Sequence, residues 1–135
     1  MPAYNFQESF VVPIVELKKT HTIRRRRTRR LTAPGDSLML YTGMRTKQAR
    51  MFAASVCVKV EPVVIWPWAG KLLMADERGA WHALNENELK GLAVADGFSD
   101  VAKFFEFFKR YAKECLDDFE IVHWDPKALV AVGAG

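Results

Sequence analysis

Cysteine is scarce in this chain. Cys57 and Cys115 are its only two, and neither belongs to a CxxC pair or sits at metal-ligand spacing from a histidine. A disulfide framework or a structural zinc site is therefore not what organises the fold. The three histidines, His21, His82 and His123, are scattered without ligand spacing of their own, so no metal and no cofactor is expected. No apolar run approaches the roughly 20 residues that span a bilayer, which leaves out a membrane helix. The opening residues MPAYNFQESF lack a charged segment followed by an apolar one, a pattern that points away from export. Internal repeats are absent, and the one low-complexity piece is a run of arginines. The expectation from these absences is a cytoplasmic protein with reduced thiols in its core and no membrane partner.

What the chain does have is apolar bulk: 50% of its 135 residues are hydrophobic, with nine Phe and four Trp. That suits a single folded domain over residues 1–135, with a core over about 6–125 and a flexible tail over 127–135. Charge is unevenly placed. Residues 1–50 hold eleven Lys/Arg against three Asp/Glu, a net +8, while residues 51–135 hold nine against thirteen, a net −4. Such a division suits a basic face offered to a polyanion, with an acidic remainder that limits nonspecific association.

Hydrophobic periodicity predicts mostly strands in the first two thirds. Residues 13–18 suit a short helix, because Pro13 is tolerated in a first turn, although Val11, Val12 and Val15 suit a strand as well. Residues 21–27 read as extended, since Thr22 and Ile23 are β-branched. Ala33-Pro34-Gly35-Asp36 is a turn, followed by an alternating strand over 37–42. Residues 50–65 read as one long strand with a break at Pro62. Residues 71–75 and 80–84 flank Asp76-Glu77-Arg78-Gly79 as a hairpin. Asn85 followed by Glu88 marks a helix start, and Asp96-Gly97 its stop. A second helix begins at Ser99, with one apolar face built from Val101, Phe104, Phe105, Phe108, Tyr111, Ala112 and Cys115. The aromatic stripe of that helix is expected in the core. Trp66-Pro67-Trp68 is expected to pack against the end of the sheet, with base stacking as the alternative. Residues 119–124 close the sheet. The fold class is α+β, a curved sheet or small β-barrel with a helical segment before the last strand.

The arginine run occupies six of the seven positions from Arg24 to Arg30. If extended, it spans about 20 Å and sends Arg24, Arg26 and Arg30 to one side, with Arg25, Arg27 and Arg29 on the other. An unpaired guanidinium is costly to bury, so at least one set must face solvent or a ligand. Together with Arg45, Lys47 and Arg50, these arginines suit phosphate contacts that give affinity and salt dependence but little sequence specificity. A solvated basic loop is the plain alternative.

The segment Leu17-Lys18-Lys19-Thr20-His21-Thr22-Ile23-Arg24 resembles the Gly-x-Lys-x-x-Thr/Glu-x-Arg stretch of ASCH domains, in the PUA-like superfamily. Gly35-Asp36 before a strand, and Asp96-Gly97-Phe98 before a helix and a closing strand, resemble two further landmarks of that family in the same order. Leu17 stands where the family has Gly, and Asp96 where it has Glu. The resemblance implies a PUA-like β-barrel that binds RNA or a nucleotide in a cleft beside the barrel. It also implies a possible hydrolase of N4-acetylcytidine-type amides, as in one branch of the family, or an RNA-processing enzyme. Carried over by position, the catalytic residues would be Lys19, Thr22 and Asp96. Threonine needs a base to take its proton, and lysine serves only when neutral, a form that neighbouring cations favour. Asp96 would then protonate the leaving group. The nucleic-acid contacts would be Arg24, Arg25, Arg26, Arg27, Arg29, Arg30, Arg45 and Lys47. A protein-interaction module with a basic edge is a further alternative.

Overall fold

The structure is a computed structural model that describes residues 2–111 and 114–132. Its elements are β1 (Ala3–Phe6), α1 (Val11–Val15), β2 (His21–Arg25), β3 (Ser37–Thr42), β4 (Arg50–Trp66), β5 (Lys71–Ala75) and β6 (Trp81–Ala83). They continue with α2 (Glu86–Ala95), α3 (Val101–Phe108), β7 (Leu116–Trp124) and β8 (Val130–Ala131). This is a mixed α+β fold dominated by one eight-stranded sheet. Strands β1-β3-β4-β5-β6 form a continuous path, β7 pairs with β2 and β4, and β8 pairs with β4. The path stays open. The helices among the described residues are short, and none is long and apolar enough to cross a membrane. The chain forms two compact units, one taking residues up to 21, 27–60 and from 122 on, the other 22–26 and 61–121.

In the first unit, β1 runs parallel to β3, with Tyr4 beside Leu40, and β3 runs antiparallel to β4, with Leu38 beside Ser55. Alternation along β3 buries Leu38, Leu40 and Thr42. The core gathers Tyr4, Phe6, Ile14, Leu38, Leu40, Phe52, Val122 and Trp124. The rings of Phe52 and Trp124 meet Phe6 edge to face, each at 6.1 Å, a favoured aromatic geometry. Two strands here carry no strong sequence signal. The segment β1 is four residues long, and β8 pairs Val130 and Ala131 with Ala54 and Ala53 where a frayed tail was expected.

In the second unit, the end of β4 pairs antiparallel with β5, and β5 with β6. Val63, Ile65 and Leu72 face a core built with Phe104, Phe105, Phe108, Leu116, Phe119 and Ile121, so the aromatic stripe of α3 is indeed core. Each fully buried Phe contributes about 1.5–3 kcal/mol relative to exposure. The α2 start is a complete capping box: Asn85 accepts the Glu88 N–H, and Glu88 accepts the Asn85 N–H. The cap of α3 is Asp100, one residue later than the expected Ser99.

Three expectations are corrected. Helix α3 stops at Phe108 instead of continuing to Cys115. Its last turn tightens: the Lys109 N–H is shared between Phe105 O and Glu106 O, and the Tyr111 N–H turns back to Phe108 O. Tyr111 then lies edge-on against Phe119, 5.4 Å away; Ala112, on the same expected face, lies outside the described residues. Strand β4 runs unbroken through Pro62: its register with β3 ends at Val56 and that with β5 begins at Val63, so Pro62, which has no N–H to donate, lies outside both ladders. Lastly, in Trp66-Pro67-Trp68 it is Pro67 that is buried, whereas Trp66 and Trp68 lie at the surface, 40% and 63% exposed.

Candidate functional site

Helix α1 ends in a Schellman motif. The Leu17 N–H bonds to Ile14 O at 3.1 Å and the Lys18 N–H to Pro13 O at 2.8 Å, the paired bonds that close a helix C-terminus. Such a motif requires a left-handed residue between cap and exit, and Leu17 fills it with φ +64°. The position at which the ASCH-like segment would carry Gly is thus one whose backbone favours Gly. Lys19 follows at once, its N–H also on Pro13 O at 3.0 Å.

All three catalytic candidates are nearly closed to solvent: Lys19, Thr22 and Asp96 are 3, 4 and 5% exposed. Lys19 belongs to the first unit, where its ammonium lies 5.0 Å from the centre of the Phe10 ring. Thr22 and Asp96 belong to the second. A buried lysine or aspartate is rare unless it has specific partners, because desolvating a charge is costly. Asp96 is the C-cap of α2, at the negative end of the helix dipole. Gly97, at φ +98°, is sufficient to turn the chain there.

Thr22 is joined to Arg24, whose Nε–H donates to Thr22 Oγ1 at 2.8 Å. That donor would stabilise negative charge developing on the threonine oxygen and leaves the hydroxyl proton free to point elsewhere. The Arg26 N–H bonds to Asp118 O, and the Trp124 N–H to Thr20 O, so β2 and β7 run antiparallel with Arg24 opposite Glu120. Glu120 is buried. Sequence reasoning missed it, although a lone glutamate inside the apolar strand FEIVHW was the available signal. His21, also missed, is buried, with its ring 5.6 Å from that of His123.

The arginine run divides. Strand β2 ends at Arg25, so the side-to-side alternation expected through Arg30 does not extend past it. Arg25 pairs with Asp118 at 3.0 Å and lies over the Phe119 ring at 5.3 Å. Arg27 donates to Ala3 O and covers the Tyr4 ring at 4.7 Å. By contrast, Arg26, Arg29 and Arg30 are exposed and form no ion pair among the described residues. Arg30 borders an open depression of about 250 Å³, with Pro2, Leu31, Asp36 and Ser37; the Asp36 carboxylate there already accepts the Ala33 N–H. Arg45 and Lys47 stand exposed and likewise without an ion pair among the described residues, on the β3–β4 loop. That loop is pinned by the Met44 N–H donating to Asn5 Oδ1 and by Thr46 Oγ1 donating to Gly43 O. Gly43 has no room for a side chain, since a Cβ would meet Gln48 O at 2.9 Å.

Among the described residues, no group of three or more His, Cys, Asp or Glu could hold a metal ion. Cys57 and Cys115 are free thiols, the first buried and the second half-buried. Comparison of the chain with known protein families and with curated proteins finds no match.

Proposed function

We propose that this chain is an RNA- or nucleotide-binding domain of the ASCH type, with a PUA-like barrel as its fold. The observation that carries the reading is the division of the arginine run. Arg25 and Arg27 are committed to carboxylate, carbonyl and ring contacts, whereas Arg26, Arg29 and Arg30 are exposed with no ion pair among the described residues. Arginines kept in water beside a folded edge, outside any ion pair among the described residues, suit phosphate oxygens. The glycine-favoured backbone at Leu17 supports the family resemblance. The triple variant Arg26→Ala, Arg29→Ala, Arg30→Ala should keep the fold and bind single-stranded RNA more weakly. Removing up to three phosphate contacts should flatten the dependence of log affinity on log salt by about 2. Wild-type affinity and an unchanged slope would defeat the phosphate grip.

A second reading, a small amidohydrolase, is favoured by the burial of Lys19, Thr22 and Asp96 and by the Arg24 hydrogen bond to Thr22. In it, Thr22 Oγ1 attacks an acyl carbonyl and its proton passes to the neutral Lys19 amine. The amide nitrogen leaves with a proton from Asp96, and water then releases the acyl group from Thr22. Turnover of N4-acetylcytidine should be lost in Thr22→Ala and in Lys19→Ala while circular dichroism stays native. A folded wild-type protein that leaves acylated nucleosides intact would remove this chemistry.

A further inference from the structure

The three tryptophans of the second unit are all exposed: Trp66, Trp68 and Trp81, the last at 48%. Strand alternation explains why. On β4 and β5, Val63, Ile65, Leu72 and Met74 take the inner face and pack into the core, so the residues between them point outward. The register sets Trp66 beside Lys71, Val64 beside Leu73, and Ala75 beside Trp81. The outer face of this three-stranded sheet therefore carries an indole at each end of a diagonal, with Val64 and Leu73 as an aliphatic floor between them. Trp66 and Trp81 make no ring or cation contact among the described residues. Trp68, in the neighbouring turn, holds the Lys109 ammonium 4.5 Å from its ring centre.

We propose that this face is a stacking surface for unpaired bases of a single-stranded nucleic acid. Its nucleic-acid character rests on the functional reading above, but its residues are separate from the arginines. Three features select that occupant. The face is small: three strands wide and five residues long is roughly 10 Å by 13 Å, far below the about 800 Å² that each partner of a stable protein complex buries. Its indoles, about 16 Å apart along the diagonal by the same spacings, match the reach of other sheet surfaces that stack two or three bases. Its single charge is positive: Lys71 is exposed and makes no ion pair among the described residues. In the β5–β6 turn, the Asp76 carboxylate accepts the Arg78 and Ala80 N–H groups.

The probe is an oligouridylate of about 12 nucleotides, within the length that one such surface covers. It should quench tryptophan fluorescence on binding, and an RNA duplex of equal length should not. Trp66→Ala and Trp81→Ala should each weaken oligouridylate binding about tenfold without changing its salt slope. Lys71→Glu, at an exposed position, should weaken it as well. Losses in the tryptophan variants beside wild-type affinity in the Arg26/Arg29/Arg30 variant would support the stacking face and refute the arginine grip. Tryptophan variants that bind as wild type while the arginine variant fails would overturn the stacking face and leave the functional reading standing. Equal quenching by the duplex, or binding of lipid vesicles or proline-rich peptide in place of oligouridylate, would overturn it too.

Discussion

Leu17 holds its backbone at φ +64°, where an L-residue other than Gly or Asn pays about 1–2 kcal/mol in contact between Cβ and the carbonyl oxygen. Its side chain is half exposed, so little packing offsets that cost. The strain persists because the Schellman bonds of Leu17 and Lys18 fix the chain where Lys19 enters the protein. Leu17→Gly should therefore stabilise the protein by about 0.5–1 kcal/mol, the relief of strain exceeding the added freedom of the unfolded chain. Denaturant unfolding of the two proteins measures it, and a destabilised glycine variant would show that the leucine side chain contributes packing that its exposure does not reveal.

Elements differ in how plainly the sequence announces them, and the difference is physical. Helix α2 was legible because Asn85 and Glu88 satisfy each other's backbone partners within four residues, a local bargain that needs no tertiary context. The β5–β6 hairpin was legible for the same reason, through Asp76 and Gly79. Strand β1 was not, because it pairs parallel with β3 across more than thirty residues, and such pairing leaves no local pattern. Strand β8 is two residues long and exposed, so its only signal is the partner it finds on β4. The candidate site was legible in part. Lys19, Thr22 and Asp96 could be named from the family resemblance alone, but their burial could not, because a helix exit and a helix stop are usually solvated. The division of the arginine run was hidden because which guanidinium meets Asp118 or Tyr4 depends on where β2 ends. The outward tryptophans were hidden because alternation says that two faces differ without saying which one the core takes.

At the scale of the whole molecule, two cores share two strands. Strand β4 (Arg50–Trp66) and strand β7 (Leu116–Trp124) each contribute residues to both units. Phe52 and Ala53 lie in one core and Val63 and Ile65 in the other; Val122 and Trp124 lie in one, Phe119 and Ile121 in the other. Melting either core alone would require a strand to lose its packing partway along while its hydrogen-bonded remainder stayed ordered, which favours joint unfolding. The tryptophans offer a direct test. Trp124 is buried in the first core, and the other three are exposed in the second unit, where α2 and α3 also reside. Replacing Trp66, Trp68 and Trp81 with Phe leaves Trp124 as the sole indole, at exposed positions where such changes are usually worth no more than about 0.5 kcal/mol. In that variant, Trp124 fluorescence follows the first core and far-UV circular dichroism follows the helices of the second. The two denaturation curves should share one midpoint; a helical signal that melts at lower denaturant than Trp124 would show that the shared strands do not couple the cores.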